Sequence, residues 1–129
     1  MRILVAGSRA FDDRDLLYMI LNEKVPVNRI GLDTIIQGFS KGPDRMAYDW
    51  ARFRRLDIET YLPDWRKHGK AAGPIRNKEM IYSKPDLVLI FYGPYGETRG
   101  TKNTEDLARE AGIPVEVYYQ EMDPVTFSL

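Results

Sequence analysis

The sequence predicts an α/β fold: one Rossmann-like three-layer domain over residues 1–129, with a mostly parallel sheet of about five strands. Three observations predict it. Short apolar, β-branched runs alternate with segments of helical periodicity, in the order β-α-β-α-β-loop-α-β-α-β. Two of those runs, Arg2–Ala6 and Leu87–Phe91, are apolar almost throughout, as strands covered on both faces are. Glycine-rich turns follow three runs, at Gly7, at Gly38 and from Gly93 to Gly100, and in such folds these turns share the edge where ligands bind.

The first run ends in Gly7-Ser8-Arg9, and Asp12 or Asp13 can cap a helix whose apolar face is Leu16, Leu17, Ile20 and Leu21. Strand, glycine turn and helix form a phosphate-cradle arrangement, although the dinucleotide fingerprint G-x-G-x-x-G is absent. Pro26 to Asp33 reads as a connection. Thr34–Gln37 is the second strand, and Gly38–Gly42 the second turn. Pro43 opens the next helix, with Asp44 in its first turn. Met46, Trp50 and Phe53 form a stripe that suits core or a subunit contact. Asp44 suits a helix N-terminus, or else a ligand hydroxyl or the orienting of Arg9.

Asp57–Leu62 is a short, partly polar strand expected near a sheet edge. Pro63–Lys70 then reads as a loop. Trp65 there can stack on a base or fold back onto the core, and Arg66, Lys67 or Lys70 can meet phosphate. His68 lacks an identifiable partner as a general base. Gly73-Pro74 leads into a helix over 74–82, which places Arg76 in the first turn, beside free N–H groups that favour an anion. Asn77 follows, and Met80 shares the face of Arg76. After the apolar fourth strand, Gly93–Thr101 is a loop in which Thr101 can cap the last helix. That helix packs through Leu107, Ala108 and Ala111, and Pro114–Tyr118 is the last strand. In the tail, Val125 and Phe127 can dock on the body or on a partner.

Composition narrows the function classes. Nineteen Lys+Arg balance nineteen Asp+Glu, so net charge gives no reason to expect nucleic acid or membrane as a partner. Without Cys there is neither a disulfide framework nor a thiolate zinc site. One histidine excludes a multi-histidine metal centre. No metal or cofactor is expected. No run approaches the ~20 apolar residues that span a bilayer, and no signal peptide is seen, so a cytoplasmic protein is expected.

Several motifs recur in family order: Gly7-Ser8-Arg9 with Phe11 and Asp12; Gly38 to Asp44 with Arg45-Met46-Ala47; Asp64-Trp65 with Ala72-Gly73-Pro74-Ile75-Arg76-Asn77 and Met80; and Gly100-Thr101. Together, over about residues 1–118, they resemble the YspA-like branch of the SLOG superfamily. These Rossmann-like domains are related to the Smf/DprA proteins and the Lonely Guy phosphoribohydrolases. The resemblance implies a nucleotide or nucleotide-derived phosphorylated ligand, and a homodimer. Arg9, Arg76, Gly100 and Thr101 would hold phosphate, Trp65 and Asp44 would contact base and ribose, and Gly7, Ser8, Gly38 and Asn77 would complete the site.

The Lonely Guy enzymes cleave the N-glycosidic bond of nucleoside 5′-monophosphates. Arg76 and Met80 match the spacing of their Arg-Lys-x-x-Met helix, and Gly100-Thr101 the end of their Gly-Gly-x-Gly-Thr-x-Glu-Glu loop. The glutamates do not match: Asn103 and Thr104 occupy those positions, with Glu105 one place late. Sensing or sequestering a ligand is therefore the first expectation. N-glycosidase activity through Glu105 or Asp44 is the alternative, since its oxocarbenium-like transition state needs a carboxylate.

Overall fold

Strand β1 (Arg2–Gly7) lies at the centre of the sheet because both of its faces are apolar. The computed structural model describes residues 1–27 and 32–121, which contain five strands. These are β1, β2 (Thr34–Gln37), β3 (Asp57–Thr60), β4 (Leu87–Tyr92) and β5 (Val115–Tyr119). They pair in parallel throughout, in the order β3-β2-β1-β4-β5. Helices α1 (Arg14–Lys24), α2 (Pro43–Phe53), α3 (Trp65–His68), α4 (Ala72–Tyr82) and α5 (Arg99–Glu110) lie between them.

Strand side chains alternate between faces, so one sheet supports two cores. Ile3 and Val5 of β1 join Leu89 and Phe91 of β4 against Leu17 and Leu21 of α1 and Ala47, Trp50 and Ala51 of α2. Leu4 and Ala6 join Val88, Ile90 and Tyr92 against Met80 and Ile81 of α4 and Ala108 of α5. β4 is buried along its whole length, whereas the edge strands β3 and β5 are half-exposed and carry Glu59 and Glu116. Asp13 caps α1, accepting from the Leu16 N–H at 3.1 Å.

The elements differ from expectation at three places. The stripe on α2 is split: Trp50 is core and Met46 packs against it, but Phe53 is 88% exposed. The buried face of α2 follows Asp44, Ala47, Trp50 and Ala51, and Phe53 is turned well away from it in the final turn. Residues 63–70 are not a plain loop. Asp64 Oδ1 accepts from the Lys67 N–H at 3.0 Å and starts the one-turn helix α3; a 3-10 turn over Gly69–Ala71 then runs straight into α4. Thirdly, Thr101 is not a cap: α5 begins two residues earlier, after Thr98.

Among the described residues no helix is long and apolar enough to cross a membrane. Val125 and Phe127 lie outside the described residues, as does part of the Pro26–Asp33 connection.

Candidate functional site

The chain leaves β1 towards β2 on one side, and β4 lies on the other, so strand order switches between β1 and β4. Parallel sheets open a crevice at such a point, beyond the strands' C-terminal ends. A cleft of about 1090 Å³ lies there, lined from the turns after β1 and β2, from α3 and α4, and from the start of α5. Gly7, Ser8, Arg9, Gly38, Asp44, Trp65, Arg76, Asn77, Gly100 and Thr101 all line it.

Close backbone approaches build its floor. A Cβ on Gly7 would run into Pro43 and the Phe91 carbonyl, so only glycine lets the start of α2 sit on the end of β1. Ser8 is buried and its Oγ accepts from the Gly93 N–H at 2.8 Å, tying the turn after β1 to the turn after β4.

Gly38 is gripped from both sides. Asp44 Oδ2 accepts from its N–H at 3.0 Å, with a longer contact of 3.5 Å from the Ser40 N–H. Arg76 Nη1 donates to its carbonyl at 3.0 Å and to the Tyr61 carbonyl at 3.2 Å. Arg76 therefore serves as a brace between α4, β2 and β3, as well as lining the cleft. Its Nη2 has no acceptor among the described residues. Burial pushes the Asp44 carboxyl up to about 6, against the opposing pull of the Arg76 charge and the Gly38 N–H. Burial likewise lowers the Arg76 pKa, and the Asp44 charge opposes it.

The uncapped first turn expected at Arg76 in α4 lies instead at the start of α5. Because α4 starts at Ala72, Arg76 is its fifth residue, and the Ala72 N–H already donates to the Gly69 carbonyl of the preceding turn. In α5, Arg99, Gly100 and Thr101 form the first turn, where backbone N–H groups lack intrahelical acceptors. A Cβ on Gly100 would meet open space. Asn77, buried on α4, donates to Asn103 Oδ1 at 2.9 Å and accepts from Arg76 Nε at 2.9 Å, so it couples the two helices. Trp65 stands 56% exposed on the rim rather than folded onto the core.

Glu105 stands apart from the cleft. It lies on α5 with Oε1 accepting from the Tyr92 hydroxyl at 2.7 Å and Oε2 from Arg109 Nε at 3.0 Å; Lys102 Nζ is 3.5 Å away. Burial would raise its pKa, but these hydrogen bonds and charges outweigh that and hold it below the ordinary carboxylate value. Its neighbours Asn103 and Thr104 line the cleft instead. His68 does not line it.

Sequence reasoning missed Lys41, Arg45 and Arg99, which also line the cleft. Lys41 and Arg45 lie close to Asp44 in the sequence, and Arg99 opens α5 after Thr98, so position relative to the glycine turns was the available signal. Among the described residues no cluster of metal-ligating side chains occurs.

Comparisons with known proteins agree with this architecture. Residues 1–68 match the family model described as the YspA, cpYpsA-related SLOG family. The gene 61 protein of Mycobacterium phage D29 is 35% identical over 119 residues, covering 88% of this chain and 93% of that protein. The crystal structure of DNA processing protein A (DprA) from Streptococcus pneumoniae superposes with a TM-score of 0.53 at 16% identity. That alignment covers 89% of this chain but only 58% of the DprA chain, and it shows a shared fold. The chain therefore belongs to the YspA- and cpYpsA-related SLOG family.

Proposed function

We propose that the cleft binds a nucleotide or nucleotide-derived phosphorylated ligand, and that the protein senses or sequesters it in the cytoplasm. One observation carries this reading. In a chain of net charge zero, Arg9, Lys41, Arg45, Lys70, Arg76 and Arg99 all line this cleft, and among the described residues that line it Asp44 is the one carboxylate. That segregation of charge suits a phosphorylated ligand. The first turn of α5 supplies N–H groups for phosphate, Trp65 a face for a base, and Asp44 an acceptor for a ribose hydroxyl.

The test is incubation with a panel of mononucleotides, cyclic nucleotides and ADP-ribose compounds, read by thermal shift and by chromatography of the ligand. A ligand at one hundredfold its Kd stabilises the fold by about 2.7 kcal/mol, which raises the melting temperature measurably. A shift with the ligand recovered intact supports the reading. No shift across the panel removes it.

One observation favours a second reading, hydrolysis of a nucleoside 5′-monophosphate at its N-glycosidic bond. Asp44 combines a place in the cleft with a pKa near neutrality, as acid–base groups require. Its carboxylate would stabilise the oxocarbenium-like sugar while water adds to C1′ and the base departs with a proton. Free base appearing with the wild type, and lost in Asp44→Asn, is the expected result for this reading.

A further inference from the structure

A second hollow of about 450 Å³ adjoins the main cleft across a ridge formed by Arg9, Lys41 and Arg45, which line both. Beyond the ridge its wall adds Arg14, from the first turn of α1, and the carboxylates of Asp12 and Asp49. Among the described residues none of Arg9, Arg14, Lys41 and Arg45 is ion-paired with a carboxylate. Arg45 lies over the Phe39 ring at 4.9 Å and donates to the Phe39 carbonyl, while Arg14 lies over Tyr18 at 5.8 Å. Aromatic faces thus hold two of the cations in place without a direct ion pair.

The fold does not require this charge. Arg14 is exposed, and a cation in the first turn of a helix opposes the macrodipole. The mixture of groups is also informative. Four cations suit phosphate, and two carboxylates beside them suit the hydroxyls of a sugar. The main cleft alone reaches the upper end of ordinary ligand sites, roughly 300–1,000 Å³, and the second hollow extends it.

We propose that the two hollows form one site, which takes a dinucleotide-sized ligand with two separated phosphate groups: one at the start of α5, the other over the Arg9–Arg45 ridge beside Arg14. This rests on the phosphorylated-ligand reading above and adds the ligand's length and its second anionic group.

Calorimetry on the full chain with AMP and with the 5′-phosphorylated dinucleotide pApA tests it, using the wild type, Arg14→Ala and Arg14→Lys. The wild type is expected to bind pApA at least about tenfold tighter than AMP, a difference of about 1.4 kcal/mol. That ratio collapses towards unity in Arg14→Ala and recovers in part in Arg14→Lys. Equal affinities for AMP and pApA in the wild type overturn the proposal, as does a ratio unaltered by Arg14→Ala; either result leaves the phosphorylated-ligand reading intact. Failure of both ligands to bind overturns this proposal, while the phosphorylated-ligand reading stands or falls on the full nucleotide panel. A longer single-stranded oligonucleotide that binds far tighter than pApA, with steep salt dependence, overturns the proposal in favour of a nucleic-acid interface.

Discussion

Asp44 and Arg76 hold opposite ends of one residue: Asp44 Oδ2 accepts from the Gly38 N–H at 3.0 Å, and Arg76 Nη1 donates to the Gly38 carbonyl at 3.0 Å. The turn after β2 is thereby fixed in the cleft wall by two side chains, from α2 and α4. Both belong to the proposed ligand site, so the same contacts that shape the wall also orient the binding groups.

Gly38→Ala separates those two roles. The added Cβ would run into the Arg76 guanidinium and sit 3.1 Å from Asp44 Oδ2. The guanidinium is the end of a flexible side chain and can swing away, giving up its two carbonyl contacts for about 1–2 kcal/mol of stability. Ligand affinity is expected to fall further than that, since Arg76 leaves its place. Gly7→Ala differs because its Cβ meets Pro43 and backbone at Phe91, and the expected cost is about 3 kcal/mol in denaturant unfolding.

Asp44 makes stability depend on pH in a direction unusual for a carboxylate. Its pKa is raised on folding, so between 3.8 and about 6 the folded state holds more protons than the unfolded state. Stability therefore falls as pH rises through that window, by about 3 kcal/mol in all. Asp44→Asn keeps an acceptor for the Gly38 N–H and lacks the titration. Denaturant unfolding of both proteins on either side of the window is expected to show the variant gaining on the wild type as pH rises.

Glu105→Ala is expected to act on stability rather than on the ligand. It strips the buried Tyr92 hydroxyl of its acceptor and leaves Arg109 unpaired, at a cost of about 2 kcal/mol. Ligand affinity measured on the folded variant should match the wild type. A folded variant that loses base-releasing activity would restore Glu105 to the reaction.

Trp65→Ala tests the rim. The side chain is 56% exposed, so stability should change by no more than about 0.5 kcal/mol. Stacking on an aromatic face is worth roughly 1–3 kcal/mol per base, so purine nucleotides should bind at least about fivefold more weakly. Ribose 5-phosphate, which has no base, should show no such loss.

The strands and their glycine ends were legible because each depends on local chemistry. Leu87–Tyr92 is buried throughout because every residue in it is apolar or aromatic, and Gly7 closes its strand because no larger residue fits beneath Pro43. The start of α4 was misread because Gly73-Pro74 resembles a boundary, while Asp64 caps an earlier turn that feeds the helix from upstream. The overall charge balance carries no information on placement: an even total conceals six cations gathered on one cleft.

The alternating parallel sheet, its two buried faces and the edge on which the glycine turns meet can be read from the residues directly, since hydrophobic period and glycine sterics are written residue by residue. Which carboxylate faces the cleft depends on packing between elements. Asp44 and Glu105 both sit on helices beside glycine-rich turns, and no local rule separates them. The packing of α5 on β4 turns Glu105 towards the Tyr92 hydroxyl, whereas the seating of α2 on Gly7 turns Asp44 towards Gly38 and the cleft. Helix rotation is set by contacts distant in sequence, so the chemistry of this site follows from packing rather than from the motif alone.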